Sequence, residues 1–337
     1  MTKAGRPGEA GWAGGDRSEP LLKVDNLTTV FDVTPRPVVA VNDVSFEIRK
    51  GETLGLVGES GSGKSVTAFS IIGLLQPPGR VAGGRVLFQG RDLATLPEPE
   101  MRQVRGAGIG FVFQEPMAAL NPVMRVGAHI AEALIVHGLA SRTEARDRAI
   151  ELLRAVKITD PEKRVDDYPH QLSGGMRQRV MMAVALACKP PLLIADEPTT
   201  ALDVTVQAQV LDLLRDMKQQ FDLSLLLITH DLGVIAETAD RVAVMYAGRI
   251  VEQGTVREIF HQPKHPYTRG LLASIPGGLA GSRLQAIDGT VPNLGSLPPG
   301  CSFAPRCGAR MDVCATAFPP RVGAEHSVRC YLHGGHP

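Results

Sequence analysis

Residues 58–65 read Gly58-Glu59-Ser60-Gly61-Ser62-Gly63-Lys64-Ser65, set between the apolar run Thr53–Val57 and a helical pattern from Lys64 to Leu75. The run ahead of it does not alternate, as expected for a strand buried on both faces of a parallel sheet. Pro77, Pro78 and Gly79 stop the helix that follows. Two glycines separated by four residues and followed by Lys-Ser fit a phosphate-loop pattern. Glycines let the backbone curl until successive N–H groups point at one anion, and the next helix adds its positive end. In this reading Lys64 supplies a point charge for the β- and γ-phosphates, and the Ser65 hydroxyl ligates Mg²⁺. A flexible glycine turn is the plain alternative, and the strand before and helix after argue against it.

Working outward, Leu192-Leu193-Ile194-Ala195-Asp196-Glu197 is a buried strand that ends in two carboxylates. Asp196 stands where a Mg²⁺-organising carboxylate is needed, and Glu197 one residue on, where it can polarise water. Mg²⁺ keeps several waters, so one hydroxyl and one carboxylate suffice. Leu172-Ser173-Gly174-Gly175-Met176 opens a helix read through Cys188, with Ser173 as its cap and two glycines freeing its first N–H groups. The chain thus carries two anion-binding features about 110 residues apart. Either they close on one nucleotide, or each serves a nucleotide shared with a second chain.

The rest of the pattern is β-rich at the front, over Leu22–Phe31 and Val38–Ile48. Residues 116–170 change to helix-like segments near Val126–His137 and Glu144–Val156, read as a helical insertion. A further buried strand covers 223–228, and Asp203 can cap a helix with apolar positions Val206, Val210, Leu213, Leu214 and Met217. Arg241 to Gln253 reads as a hairpin turning at Ala247-Gly248.

Composition sets limits. The 337 residues suggest two domains, or one large domain with an appendage. A net charge of +1 from 36 basic and 35 acidic residues argues against a strongly electrostatic nucleic-acid binder. The longest stretch of small or apolar residues, Val180–Cys188, is about half what a membrane-spanning helix needs. Residues 1–20 hold five glycines and no leucine, lack the apolar run of a signal peptide, and read as a disordered tail carrying Trp12.

Gln114 in Phe-Val-Phe-Gln-Glu-Pro, the Leu-Ser-Gly-Gly element, the strand ending Asp196-Glu197, Ala201-Leu202-Asp203, and His230 after Leu-Leu-Ile-Thr resemble, in this order, the motifs of ABC-transporter ATPase subunits. The resemblance covers about residues 21–275. It implies an α/β P-loop NTPase fold: a RecA-like parallel sheet with an antiparallel β edge and a helical insertion, plus a small irregular C-terminal domain. The boundaries implied are a tail over 1–20, an ATPase domain over 21–262 with a helical subdomain at about 116–185, and a C-terminal segment over 263–337. The resemblance also implies ATP and Mg²⁺ as ligands and a head-to-tail dimer in which Ser173, Gly174 and Gly175 complete the partner's phosphate loop. Gln114 would sense Mg²⁺ and the γ-phosphate, Glu197 act as the base or orient water, His230 contact the γ-phosphate, and Asp203 lie at the dimer interface. Phe31 is the candidate for stacking on adenine, with a core role as the alternative.

Beyond the ATPase core, Pro263-Lys-His-Pro-Tyr-Thr268 resembles the His-Pro-Tyr motif of oligopeptide and dipeptide importer ATPases. Cys301, Cys307, Cys314 and Cys330 follow, separated by five, six and fifteen residues, without the closely spaced pairs of zinc ribbons. Four thiolates can hold a [4Fe–4S] cluster or Zn²⁺. Resemblance to that branch implies the cluster, with zinc or free thiols as alternatives. Cys188 reads as a core residue, and His326, His333 and His336 as a solvated tail.

Together these features imply an ATPase subunit that energises peptide import from the cytoplasmic face of the cell membrane. Its partners would be two transmembrane permeases, a second ATPase that is a copy or a paralogue, and, through the permeases, an extracytoplasmic solute-binding protein. No nucleic acid is expected. Nickel or glutathione importers have similar ATPases, so those solutes stay open. A soluble ABC-type ATPase acting on DNA or ribosomes is the rival from another class; such proteins usually carry two cassettes or a coiled-coil insertion. A small-molecule kinase is disfavoured by the Leu-Ser-Gly-Gly element.

Overall fold

The computed structural model describes residues 19–200, 202–274 and 287–335. Most of the proposed N-terminal tail, including Trp12, and also Ala201 and His336, lie outside the described residues.

In chain order the elements begin β1 (Leu22–Phe31), β2 (Val38–Ile48), β3 (Thr53–Val57), α1 (Lys64–Ile71), β4 (Gly79–Phe88) and β5 (Arg91–Asp92). Next come α2 (Glu98–Ala107), β6 (Ile109–Val112), α3 (Pro116–Ala119), α4 (Val126–Val136), α5 (Glu144–Ala155), α6 (Pro161–Arg164), α7 (Gly174–Leu186) and β7 (Leu192–Asp196). Then follow α8 (Val204–Phe221), β8 (Ser224–Thr229), α9 (Leu232–Thr238), β9 (Arg241–Tyr246) and β10 (Arg249–Thr255). The chain finishes with α10 (Val256–His261), α11 (Pro266–Ala273), α12 (Val313–Thr316) and β11 (Ser327–Val328).

These elements form two compact units. The described residues of the first fall in 19–21, Arg49–Glu52, 95–200 and 202–226. In it β6 and β7 pair in parallel, Phe111 opposite Ile194 and Val112 opposite Ala195. Every residue of β7 is buried, as its unbroken apolar run requires. Helix α7 packs close behind β6: a Cβ at Gly110 would stand 2.4 Å from the Ala185 carbonyl oxygen, so glycine sets the approach. Helices α4, α5 and α7 contact one another.

The described residues of the second unit fall in Leu22–Ile48, Thr53–Ala94, 227–274 and 287–335. Here β2-β1-β4-β5 make an antiparallel sheet. A second array runs β11-β10-β9-β3, with β3 parallel to β9 and the β9–β10 hairpin antiparallel. The hairpin turns at Ala247 and Gly248, both at positive φ (45° and 82°), the pairing that suits the twist of a two-residue turn. The cysteine-bearing segment belongs to this unit too, and Val328 on β11 pairs with Glu252 on β10.

Most segments expected from the sequence are present, with shifts at their ends. Helix α1 ends at Ile71, short of Leu75, because Gly73 takes a left-handed φ of 61°. Helix α7 ends at Leu186, so Cys188 lies past it, half-buried, with its thiol donating to the Ala133 carbonyl at 3.6 Å. Burial pushes that thiol up to about 11. Of the terminal histidines, the two described ones, His326 and His333, are packed, not solvated. His326 Nε2 lies 2.8 Å from Glu252 Oε1, and His333 Nε2 lies 2.9 Å from the Lys264 carbonyl.

Candidate nucleotide site

The phosphate loop joins β3 to α1 within the second unit. A Cβ on Gly58 would fall 2.1 Å from the Met245 carbonyl oxygen. Gly63 caps α1 at φ 102°, in the left-handed region, with Ala40 O 2.7 Å from where a Cβ would be. Both positions therefore exclude a side chain. The Ser62 N–H donates to Glu59 O at 3.2 Å, and the Gly248 N–H donates to Ser62 O at 2.8 Å, tying the loop to the β9–β10 turn. Lys64 is buried, and its ammonium reaches back over the loop to Gly58 O (2.8 Å) and Glu59 O (3.1 Å). The Ser62 hydroxyl is buried and has no hydrogen-bond partner. Such a group is satisfied by a phosphate oxygen or an ordered water. Ser60 and Gly61 are exposed, and Ser65 is half-buried on the first turn of α1.

The carboxylates lie in the first unit. Asp196 ends β7 and is 1% exposed. Glu197 follows at φ 46°, left-handed for a residue with a side chain, and such positions mark sites where the surroundings dictate the backbone. Its Oε2 accepts from Gln114 Nε2 at 3.1 Å and from Thr200 Oγ1 at 2.8 Å. Because β6 and β7 are parallel neighbours, Gln114 and Glu197 leave the same end of the pair. The fold thus unites two residues that the sequence singled out separately.

The Leu-Ser-Gly-Gly element opens α7 as expected. Ser173 Oγ accepts from the Met176 N–H at 3.3 Å, and Asp203 Oδ1 accepts from the Val206 N–H at 3.0 Å to cap α8. The two caps are neighbours: a Cβ on Gly175 would stand 2.7 Å from Val206 Cγ1. Ser173, Gly174 and Asp203 are exposed. The positive end of α7 therefore opens to solvent with an anion-receptive set of N–H groups.

His230 follows β8 at an exposed position in the second unit, just ahead of the Asp231 cap of α9. Phe31 ends β1 half-buried, opposite Val38 on β2 and Gly79 on β4. A Cβ on Gly79 would stand 2.8 Å from the Phe31 ring, so the side chain lies across that glycine.

The second unit places four residues, to which the sequence assigned no role at the loop, beside the loop or behind it. Tyr267, fully buried, accepts the Glu59 N–H on its hydroxyl at 2.9 Å. Burial, followed by the Glu59 carboxylate, holds that phenol protonated well above its usual range. Arg306 makes a two-pronged ion pair with the Glu59 carboxylate. Glu252, buried on β10, accepts the N–H groups of Lys264 (2.7 Å) and His265 (2.8 Å) and so sets the start of α11. His265 caps that helix, its Nδ1 accepting from the Tyr267 N–H at 3.0 Å, and burial lowers its pKa to about 3. The His-Pro-Tyr signal was visible in the sequence; its destination, Glu59, was not.

Cys301, Cys307, Cys314 and Cys330 line one pocket with Phe303, Met311 and Tyr331. The Cys301 N–H donates to Cys314 O at 2.9 Å. Burial pushes the Cys301 thiol up to about 11 and raises Cys307 and Cys330 as well. The expected cluster finds no direct counterpart: among the described residues no group of three or more His, Cys, Asp or Glu is arranged to hold a metal ion. Among them, too, no helix is long and apolar enough to cross a membrane.

Residues 41–200 match the ABC transporter family, and residues 251–314 match the oligopeptide/dipeptide transporter C-terminal region. The chain is 53% identical over 318 residues to the dipeptide transport ATP-binding protein DppD of Bacillus subtilis (strain 168), covering 93% of this chain and 95% of the relative. It is 51% identical over 300 residues to the oligopeptide transport ATP-binding protein OppD of Salmonella typhimurium, covering 89% of each. Among solved structures, a dimeric ATP-binding cassette in a post-hydrolysis state with ADP and Pi superposes with a TM-score of 0.63 at 30% identity, over 70% of this chain and 99% of that one. The protein cbiO1 from Clostridium perfringens, part of an ABC transporter complex, gives 0.62 at 28% identity, over 73% of this chain and 92% of that one.

Proposed function

The chain belongs to the ATP-binding subunits of oligopeptide and dipeptide ABC transporters, and from that membership we propose that it hydrolyses ATP to energise the import of short peptides. The observation that carries the reading is the phosphate loop itself, with Lys64 folded across it and a buried, unpartnered Ser62 hydroxyl inside it. In this reading the loop binds the triphosphate of ATP and Ser65 and Asp196 hold its Mg²⁺. Gln114 reports on that ion and the γ-phosphate, His230 contacts the same phosphate, and Phe31 stacks on adenine. Glu197, oriented by Gln114 and Thr200, activates the attacking water.

The open N-terminus of α7 supports a shared site. Ser173, Gly174 and Gly175 would close over the nucleotide of a second ATPase subunit in a head-to-tail dimer, with Asp203 and the 84%-exposed Val204 at the contact. ATP then favours the closed dimer by its higher affinity for that state, and product release reopens it. Two membrane-spanning permeases and an extracytoplasmic solute-binding protein would complete the importer, with this subunit at the cytoplasmic face. The deciding experiment is ATP-dependent uptake of labelled di- and oligopeptides by the reconstituted complex. Uptake that persists with Lys64→Ala in this subunit would overturn the reading.

The four-cysteine pocket is proposed as the place of a [4Fe–4S] cluster, on the strength of four thiol donors lining one apolar pocket. When bound, the cluster would cross-link the C-terminal segment through iron–sulfur bonds. Protein purified without oxygen should be brown and carry about four iron atoms per chain. Colourless, iron-free protein would remove the proposal.

A further inference from the structure

Arg306 sits beside Cys307, far along the chain from the phosphate loop, yet its side chain is only 5% exposed and its guanidinium ends on that loop. Nη1 donates to Glu59 Oε2 at 2.8 Å and Nη2 to Glu59 Oε1 at 3.1 Å. The remaining N–H groups reach Tyr246 Oη (3.5 Å), Ile287 O (3.3 Å) and Asp288 O (2.9 Å). All five guanidinium donors are therefore used, which only the planar arginine fork permits. The rings of Tyr246 and Phe303 flank the cation, each with its centroid 5.9 Å away. Tyr267 packs on both rings and accepts the Glu59 N–H. Glu59 is thus held twice by the C-terminal segment, once through its carboxylate and once through its backbone.

The grip has a charge consequence. Glu59 is the second residue of a loop built to receive anions, and an uncompensated carboxylate there repels a polyphosphate. Arg306 cancels that charge inside a partly dehydrated site, where a charge-assisted pair is stronger than at the surface. The hydroxyl of Tyr267 takes up the N–H at the start of the loop, which fixes where the curl begins.

We propose that Arg306 and Tyr267 are positioning residues of the phosphate loop, which neutralise and anchor Glu59 and thereby set the loop's affinity for the polyphosphate of a nucleotide. This rests on the reading of that loop as the ATP site.

The test is equilibrium binding of Mg²⁺ with a non-hydrolysable ATP analogue to the full-length chain. Arg306→Gln should weaken binding by about tenfold or more, the usual size for a lost charged hydrogen-bond pair. Adding Glu59→Gln to that variant should restore most of the loss, because the stranded charge goes with it. A merely structural contact would leave the double variant as weak as the single one or weaker, and that result would overturn the proposal. So would unchanged affinity in Arg306→Gln. If that variant fails to fold, Tyr267→Phe decides: about a threefold loss is expected for one neutral hydrogen bond, and unchanged affinity refutes the role. Wild-type protein that bound no nucleotide would overturn the ATPase reading and this proposal with it, whereas wild-type binding with no response to the substitutions overturns the proposal alone.

Discussion

Gln114 Nε2 and Glu197 Oε2 stand 3.1 Å apart across 83 residues of sequence, because the parallel strands β6 and β7 deliver both side chains at the same end. The hydrogen bond from Gln114, with a second from Thr200, aims the Glu197 carboxylate. Glu197→Gln keeps the shape and removes the proposed base. ATP turnover by the assembled transporter should fall on the order of 10²–10⁴-fold. Turnover at the wild-type rate would mean that Glu197 is not the base.

The exposed cap of α7 yields a second expectation. Ser173→Arg places a bulky cation at the helix start that the proposed shared site would close over a second subunit's γ-phosphate. Turnover by the complex should drop by at least about tenfold, as for loss of a preorganised anion contact. Full-speed hydrolysis by an isolated subunit carrying this change would refute the shared-site arrangement.

Gly110 tests the packing behind the site. An added Cβ would meet the Ala185 carbonyl oxygen at 2.4 Å and Pro190 Cγ at 2.9 Å, and a backbone oxygen cannot swing aside as a side chain can. Gly110→Ala should destabilise the protein by about 1–3 kcal/mol, the usual range for overpacking. Thermal or urea unfolding measures this; a stability equal to wild type would show that α7 can move away from β6 freely.

His265 titrates at about 3 in the fold because burial penalises its charged form, against 6.5 when free. Between those values the unfolded chain binds a proton that the folded one refuses, so stability falls as pH drops below 6.5 and is level above it. The slope is at most about 1.4 kcal/mol per pH unit for one proton. His265→Asn keeps an acceptor for the Tyr267 N–H but does not titrate. Urea unfolding at about pH 7 and about pH 5.5 should show a smaller loss in the variant than in wild type. Equal losses would mean that His265 takes up its proton without unfolding.

Much was readable in the chain before any fold was known. The phosphate loop, the carboxylate-ended strand and the Ser173 cap declare themselves locally, because glycine freedom, burial on both faces and helix capping are properties of consecutive residues. The bounds of β1, β2 and β3 follow from the same short-range rules. Helix α1 departed because Gly73 ends it ahead of the prolines, and α7 because the apolar run Val180–Cys188 outlasts the helix.

Tertiary structure alone decided which distant residues meet. No periodicity links Arg306 to Glu59, 247 positions away, or buries His326 against Glu252 instead of leaving it in water. The cysteines had a spacing but no neighbours until the C-terminal segment folded around Phe303 and Tyr331. Local signals fix backbone shape over a few residues, whereas ion pairs and pockets depend on how strands order themselves in space. That ordering is set by the burial of whole faces, which no short stretch of sequence contains.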